Sequence, residues 1–259
     1  MVELERHGSR PDAVDGSFVR SWLDEFAEEV ARRRDELTQL DAAIGDADHG
    51  VNLDAGLRAV TSRLASEGET ALGSDEKTPV AVGSPSADPS DSPVTDAPSV
   101  TSPSVGSLLQ MVGMTLLSTV GGAAGPLYGS LFLKMAGALD SDSAVTAWEW
   151  SQALRVGVGS VSARGRAVAG DKTMLDALLP AVDTLQQMLE KGESLASALV
   201  AASGAAHDGM LATVPMVARK GRASYLGERS AGHQDPGATS AHMLVAAAAR
   251  AAGGDAAAT

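Results

Sequence analysis

The sequence contains no cysteine and very few aromatic residues. Without cysteine the chain has no disulfide, no zinc–thiolate site and no cysteine nucleophile. Phe, Trp and Tyr make up only 3% of the residues, although 44% are hydrophobic and alanine is abundant. A chain of this length can bury a substantial core, and its composition predicts closely packed helices with small side chains.

Positive charge and long apolar runs are also scarce. The 20 basic residues are outnumbered by 33 acidic ones, and the net charge of −13 disfavours direct binding to nucleic acid or to an anionic membrane. No uncharged apolar run reaches the roughly 18 residues of a membrane helix, and the N-terminal residues lack the apolar run of a signal peptide. We therefore expect a soluble, cytoplasmic protein. The negative net charge does not exclude nucleotide binding, because bound cations can make the local charge positive.

Three aspartates cluster around a glycine early in the chain. Asp41, Asp46 and Asp48 are five and two residues apart, a spacing that no face of a helix or strand brings together. We expect a helix to end near Asp41, the chain to turn at Gly45 and a second helix to begin near Gly50. Three carboxylates that converge in such a bend are costly unless a cation lies among them.

The ligand type points to a hard cation. Carboxylate oxygens suit Mg2+ or Ca2+, and Mg2+ usually keeps positions open for water and phosphate oxygens. An EF-hand is excluded, because the residue twelve places after Asp41 is Leu53 and not Glu. The alternative is that two of the acids are helix caps or turn residues. His49 and Asn52 lie at the start of the second helix, where free N–H groups favour an anion.

The composition divides the chain into one helical domain and three polar segments. Residues 1–16 are predicted to be a flexible N-terminus, residues 17–253 a single domain and residues 254–259 a tail. Residues 66–106 hold six of the 11 prolines and many Ser, Thr and Asp. This segment buries too little apolar surface to be ordered, so we predict a disordered insertion. A neutral spacer is favoured over a docking or regulatory role.

The domain itself is predicted to be all-α. No segment alternates with period two, whereas apolar residues recur at three- and four-residue steps. The first helix is predicted to start at Ser17, and a final helix to cover residues 241–252. The apolar stripe of the first helix consists of Phe18, Val19, Trp22, Leu23, Phe26 and Val30.

Two polar stretches carry further candidate residues. Residues 121–129 contain four glycines and a proline, which is typical of a phosphate-cradling loop; the alternative is a tight helix connection. Asp171 is predicted to cap a helix and Lys172 to form a surface ion pair. Arg222 is predicted to bind phosphate oxygens with two N–H groups, residues 235–237 to form a turn, and His233 to be buried and hydrogen-bonded.

Four blocks of the sequence, in order, resemble the nucleotide-binding L subunit of dihydroxyacetone kinase. They are residues 45–52, 112–129, 170–176 and 218–237, and they span nearly the whole chain outside its tails and the insertion. One departure is visible: where the family's glycine loop commonly reads Gly-Gly-Ala-Ser-Gly, this chain has Ala124 in place of the Ser. One hydroxyl contact to a phosphate is therefore missing, while the backbone N–H groups remain.

The resemblance implies a fold and a set of ligands. The fold is an antiparallel barrel of about eight helices with a nucleotide site at one end. ADP (or ATP) and Mg2+ are the implied cofactors, with Met174 as an apolar wall for the adenine. The implied metal ligands are Asp41, Asp46 and Asp48; the implied nucleotide-binding residues are His49, Gly50, Val51, Asn52, Ala123, Ala124, Gly125, Gly165, Met174, Arg222, Asp235, Pro236 and Gly237.

The resemblance also implies an activity. An ADP-binding phosphotransfer subunit passes a phosphoryl group from a phosphoprotein of the phosphotransferase system, through bound ADP/ATP, to dihydroxyacetone held on a separate K subunit. Two alternatives remain. One is an ATP-dependent kinase subunit for dihydroxyacetone or a related short ketose. The other is an ADP-sensing module that binds a transcription regulator, without contacting nucleic acid itself.

Overall fold

The structure is a computed structural model that describes residues 13–72, 103–139 and 145–254. In these ranges the chain forms nine α-helices, one 3-10 helix and a pair of two-residue strands. The elements are β1 (Ala13–Val14), α1 (Gly16–Arg32), α2 (Arg34–Ile44), α3 (His49–Leu72), α4 (Val105–Thr119), α5 (Ala124–Ala136), β2 (Val145–Thr146), α6 (Ala147–Gly165), α7 (Leu175–Glu190), α8 (Leu195–Ala212), the 3-10 helix (Arg222–Ser230) and α9 (Pro236–Ala251).

Eight of the helices form a closed ring. In chain order α1, α3, α4, α5, α6, α7, α8 and α9 each pack against the next, and α9 packs against α1. Short connections, such as the one from α4 to α5, turn the chain back on itself so that neighbours run antiparallel. The remaining helix, α2, packs against α3 and α9. The predicted all-α fold and the barrel of about eight helices are confirmed.

The connections alternate between the two ends of the ring. The links α2–α3, α4–α5, α6–α7 and α8–α9 all contribute residues to one cavity, so they lie together at what we call the site end. The end of α3 and the start of α4 lie at the opposite end. The chain that joins them, residues 73–102, lies outside the described residues, but its points of attachment are far from the cavity.

The scarce aromatic residues are concentrated inside the ring. Rings from α1 meet rings from α5 and α6 across its interior: Trp22 lies 5.5 Å from Phe132 and 5.1 Å from Trp150, centroid to centroid. Phe26 and Tyr128 make a similar contact at 6.1 Å. These large side chains fill the axis, where small ones would leave voids.

Between neighbouring helices the packing is close because glycines face each other. A Cβ added at Gly113 of α4 would lie 2.9 Å from the Gly129 carbonyl, and one added at Gly129 of α5 would lie 3.0 Å from the Gly113 carbonyl. Only glycine permits this approach of two backbones. The expectation of closely packed, small-residue helices is met at this crossing.

The boundaries of the predicted insertion need correction at both sides. Helix α3 continues to Leu72, beyond the predicted limit of residue 66. Helix α4 begins at Val105, because the Ser104 hydroxyl accepts a hydrogen bond from the Ser107 N–H and caps the helix. The central part of the insertion, residues 73–102, lies outside the described residues and its predicted disorder stays a prediction.

Order also begins earlier than predicted at the N-terminal side. Ala13 pairs with Thr146, and Val14 with Val145, in an antiparallel two-residue ladder. Asp15 then accepts hydrogen bonds from the backbone N–H groups that follow it, so that α1 starts at residue 16. Residues 1–12 lie outside the described residues.

Helix α9 is longer than the sequence predicted, and α6 and α7 each contain a residue type that often ends a helix. Helix α6 includes Gly165, and α9 begins at Pro236, a residue suited to the first turn of a helix. Helix α7 passes through Pro180 without ending there. No helix within residues 13–72, 103–139 and 145–254 combines the length and apolar character needed to span a membrane.

Candidate functional site

The three aspartates come together where α2 joins α3. Helix α2 ends at Ile44, three residues later than expected, and the chain turns at Gly45 as predicted. One carboxylate oxygen from each of Asp41, Asp46 and Asp48 lies within 4.8 Å of the other two. Within the described ranges, no other group of three or more His, Cys, Asp or Glu side chains converges in this way. We call residues 41–48 the acid loop.

The acid loop has a fixed shape of its own. Asp41 is buried, and its Oδ2 accepts hydrogen bonds from the backbone N–H groups of Asp48, at 2.9 Å, and His49, at 3.2 Å. The turn requires a left-handed residue, Ala47, with φ of 62°. Asp41 therefore caps the helix that follows while its second oxygen stays available.

The donor set of the acid loop fits a hard divalent cation. Opposite ligands of one Mg2+ are separated by about 4.2 Å, twice the usual metal–oxygen distance, so a small inward shift of the carboxylates suffices. Burial raises the pKa of Asp48, and the negative charges of Asp46 and Asp41 raise it further. A bound cation would relieve the repulsion between these carboxylates. Arg222 pairs with Asp46 at 2.9 Å. Since both groups are partly exposed, this pair contributes at most about 1 kcal/mol and is readily exchanged.

His49 is held from behind by a buried hydroxyl. Its Nε2 lies 2.9 Å from the Oγ of Ser240 in α9, and that oxygen lies 2.8 Å from the Tyr128 hydroxyl in α5. Burial lowers the pKa of His49, with the Asp41 charge opposing it, so burial favours the neutral imidazole. Burial also raises the pKa of Tyr128, which keeps its proton.

The connection between α4 and α5, residues 120–123, which we call the glycine loop, lies against the acid loop. Gly122 has a positive φ of 64°, and a Cβ placed on it would lie 3.5 Å from both Asp48 carboxylate oxygens. Gly121 is similarly close to the Asn52 side chain. Helix α5 starts at Ala124, so the later part of the predicted loop of residues 121–129 is helical. The helix has no side-chain cap, and its first N–H groups are free to bind an anion.

One cavity of about 180 Å3 joins these features. It is lined by the acid loop, the glycine loop, the segment before α7 and the segment before α9. Eleven of the residues predicted for the site line it, namely Asp41, Asp46, Asp48, His49, Ala123, Ala124, Met174, Arg222, Asp235, Pro236 and Gly237.

A second cavity of about 320 Å3 adjoins the first and is more apolar in its walls. Gly165, another predicted residue, lines this second cavity and not the first. Met174 lines both, and its side chain is only 5% exposed. The two spaces share residues from the glycine loop and from the segments before α7 and the 3-10 helix, so they form one continuous depression at the site end.

Four predicted residues line neither cavity. Gly50 packs against a backbone carbonyl of α2, and Gly125 packs against a carbonyl of the glycine loop. Val51 points outward with 51% of its surface exposed. The Asn52 side chain lies beside Gly121 and Gly122 of the glycine loop. They shape the loops around the cavity, and a contact from any of them to a nucleotide stays a prediction.

Lys172 was wrongly predicted as a surface residue. It is 1% exposed, and its Nζ donates to the carbonyls of Thr213 at 2.8 Å, Met216 at 3.1 Å and His233 at 2.5 Å. It thereby ties the segment before α7 to the two segments before α9. No sequence signal reveals this role, because its acceptors are main-chain carbonyls that any residue provides. His233, predicted to be buried, is exposed and contributes only that carbonyl.

The predicted capping of α7 by Asp171 was also wrong. Asp171 accepts a hydrogen bond from the Val168 N–H, within the loop. Asp176, the second residue of the helix, accepts from the N–H groups of Gly170 and Thr173, which precede the helix. Helix α7 therefore starts without a side-chain cap, and the two acids instead hold the loop before it together.

Asp235 acts as a helix cap and not as part of a free turn. Its Oδ2 accepts from the Ala238 N–H at 2.7 Å, which starts α9. Burial raises the pKa of this carboxyl to about 7, and the Asp176 charge adds to the rise, while the Ala238 N–H and Lys172 oppose it. Asp235 thus places a titratable carboxyl in the cavity wall close to neutral pH.

Comparison with known proteins agrees with this geometry. A family model described as the DAK2 domain matches residues 92–250, more than half of the chain. The sequence is 39% identical over 227 residues to the "PEP-dependent dihydroxyacetone kinase, ADP-binding subunit DhaL" of Escherichia coli (strain K12), covering 88% of this chain and 92% of that protein. The chain belongs to the DAK2 family.

Further comparisons place this DAK2 chain among subunits of similar length. It is 37% identical over 232 residues to the "PEP-dependent dihydroxyacetone kinase 2, ADP-binding subunit DhaL" of Listeria innocua, covering 90% of this chain and 93% of the relative. The fold matches a crystal structure of the C. freundii dihydroxyacetone kinase in complex with AMP-PNP and Mg2+, with a TM-score of 0.61 and 22% identity. The match covers 96% of this chain and 37% of that longer kinase.

Proposed function

We propose that this chain is the ADP-binding subunit of a dihydroxyacetone kinase that is dependent on phosphoenolpyruvate. The observation that carries the proposal is the convergence of Asp41, Asp46 and Asp48 beside a glycine loop in one cavity. The match to this chain covers 92% and 93% of two relatives that carry this name.

The phosphates of the nucleotide occupy the first cavity. Mg2+, when bound, neutralises phosphate charge and aligns the transferred group. Asp41, Asp46 and Asp48 hold the ion on one side. The free N–H groups at the start of α5 bind phosphate oxygens from the other side, and they do so without the hydroxyl that Ala124 lacks. Arg222 moves from Asp46 to a phosphate, a shift that the weak exposed ion pair permits.

The base occupies the second cavity. Its walls include Pro126, Val161 and Leu175, and Met174 separates this apolar space from the acids. An adenine ring is flat and largely apolar on its faces, so it fits a space of this size and character. Gly165, which the resemblance implied as a nucleotide-binding residue, lines this cavity and leaves room beside the backbone of α6 for the base.

The substrate and the phosphoryl donor come from other proteins. Because the chain spans only 37% of the longer C. freundii kinase, dihydroxyacetone is proposed to lie on a separate K subunit that docks at the site end. A phosphoprotein of the phosphotransferase system is the proposed donor, since the relatives are named as dependent on phosphoenolpyruvate. In this arrangement ADP stays bound and is rephosphorylated in place.

Nucleotide retention tests the proposal. The purified chain, loaded with ADP and Mg2+ and passed over a gel-filtration column, is expected to keep one ADP per chain. Asp46→Ala removes one ligand of the ion and should lose the ADP while helix content by circular dichroism stays the same. Asp208→Ala, which removes an exposed carboxylate on α8, is the matched control and should retain it. Full retention in Asp46→Ala would contradict the metal assignment.

Reconstitution separates the proposed function from its alternatives. Adding a K subunit and the phosphoprotein donor is expected to restore phosphorylation of dihydroxyacetone. Turnover of free ATP by a chain that emerges from the column empty would favour an ATP-dependent kinase subunit for dihydroxyacetone or a related short ketose. Binding of a transcription regulator, with no activity under either donor, would favour the sensing module.

A further inference from the structure

We propose that Ser240 is a positioning residue that fixes His49 as the tautomer with its proton on Nε2, so that the Nδ1 lone pair is the group offered to the cavity. The inference rests on the proposed function only for its consequence, since the tautomer itself is a property of the protein without ligand. In this tautomer His49 is a hydrogen-bond acceptor in the nucleotide site, whereas the sequence implied only that His49 contacts the nucleotide.

Ser240 has a single hydroxyl proton, which it can donate to only one of its neighbours. Its Oγ has three polar neighbours: the Gly237 carbonyl oxygen at 3.1 Å, the His49 Nε2 at 2.9 Å and the Tyr128 hydroxyl at 2.8 Å. A serine hydroxyl donates one hydrogen bond and accepts two. The Gly237 oxygen is a carbonyl and only accepts.

One assignment of protons makes all three contacts into hydrogen bonds. Ser240 donates to the Gly237 carbonyl, and it accepts from the Tyr128 hydroxyl and from His49 Nε2–H. If Ser240 donated to Nε2 instead, the carbonyl contact would have no proton in it. Ser240 is 0% exposed, so solvent water does not replace the lost contact, and that assignment makes one hydrogen bond fewer in a buried cluster. The Nε2–H tautomer therefore follows from counting donors and acceptors.

The consequence concerns the other ring nitrogen. His49 lines the first cavity, and with Nε2 engaged behind it Nδ1 is the polar ring atom left for a molecule there. A neutral Nδ1 without a proton accepts a hydrogen bond and repels a phosphate oxygen. The partner is therefore a hydrogen-bond donor, an O–H or N–H group such as a water on the metal ion or a hydroxyl of the ligand.

Ser240→Ala tests the assignment by nitrogen NMR of the histidine rings. Protein labelled on both imidazole nitrogens is studied after treatment with EDTA, without nucleotide, at a pH where the rings are neutral; His49→Gln identifies the His49 signals. The wild-type ring is expected to show a pyrrole-like Nε2 and a pyridine-like Nδ1. Ser240→Ala is expected to show a mixture of both tautomers. A wild-type ring with its proton on Nδ1, or an unchanged tautomer in Ser240→Ala, would overturn the proposal.

Tyr128→Phe is the matched control, because it removes a hydroxyl from the same cluster but leaves the bonds of Ser240 to Gly237 and His49. It is expected to keep the Nε2–H tautomer. Equal scrambling in Tyr128→Phe would show that general loosening, and not Ser240, sets the tautomer, and the proposal would fail.

A second readout links the tautomer to the ligand. The dissociation constant of ADP with Mg2+ is expected to rise about tenfold in Ser240→Ala, as for other residues that orient a ligating histidine, and to change much less in Tyr128→Phe. An unchanged constant in Ser240→Ala would overturn the role of Nδ1 in binding. If the wild-type chain bound no nucleotide, the proposed function would fail while the NMR result would still decide the tautomer.

Discussion

Replacing Lys172 with methionine tests how the site end is held together. Met keeps much of the volume of the side chain but removes the ammonium that binds the carbonyls of Thr213, Met216 and His233. Hydrogen bonds from a charged group contribute about 1.5–3 kcal/mol each, and the cost of burying the ammonium, several kcal/mol, opposes them. Burial lowers the pKa of Lys172, because removing the charged ammonium from water makes it easier to deprotonate. We expect a net loss of about 3 kcal/mol in the free energy of unfolding.

Urea denaturation followed by tryptophan fluorescence measures this loss. The corresponding fall in Tm is about 9 °C, since each kcal/mol shifts a domain of this size by about 2–4 °C. Lys191→Met, on an exposed lysine at the end of α7, is the control and should change stability by less than about 0.5 kcal/mol. Should Lys172→Met unfold at the wild-type urea concentration, the three carbonyl bonds would be energetically neutral and the reasoning would be refuted.

Two further predictions address packing and pH. Gly209→Ala should destabilise the protein by about 1–3 kcal/mol, because the added Cβ would lie 2.0 Å from the Asp176 carbonyl oxygen in α7. Gly204→Ala on the same helix meets nothing within 4 Å and should stabilise it by up to about 1 kcal/mol, so equal effects in urea denaturation would contradict the packing. Asp235→Asn should remove a pH dependence: the folded carboxyl has a pKa of about 7 against a usual 3.8, so its contribution is present at low pH and is lost as the pH rises through about 7. Between the usual pKa of 3.8 and the folded pKa of about 7, the stability of Asp235→Asn relative to the wild type should rise with pH. A stability difference that is constant over this pH range would show that the pKa of Asp235 is not raised.

The local features of the site were predictable from the sequence because they depend on residues close together in the chain. The spacing of Asp41, Asp46 and Asp48 around Gly45 excludes regular structure and forces a bend. The glycine-rich segment likewise predicts its own backbone freedom, and Gly122 has the positive φ that only such a segment supplies without strain. Absence of period-two alternation was enough for the all-α fold, and the arrangement of the barrel came from the resemblance.

Interactions between distant segments were not predictable in the same way. Lys172 is buried because three carbonyls from segments over forty residues away surround it, and carbonyls leave no trace in the side-chain pattern. Ser240 looks like an ordinary helix serine until α3 and α5 place His49 and Tyr128 against it. Helix ends were misjudged where a cap lay outside the apolar stripe, as with Asp235 before α9.

The two hydrogen bonds that Asp41 accepts from the N–H groups of Asp48 and His49 lower the entropy cost of binding the ion and the nucleotide. A loop that keeps its form through its own backbone pays little conformational entropy when an ion and a diphosphate arrive. Charging and discharging the subunit then redistributes charge over a rigid frame, and does not fold and unfold a segment in each cycle. A frame of this kind suits a nucleotide that stays in place while its terminal phosphate comes and goes.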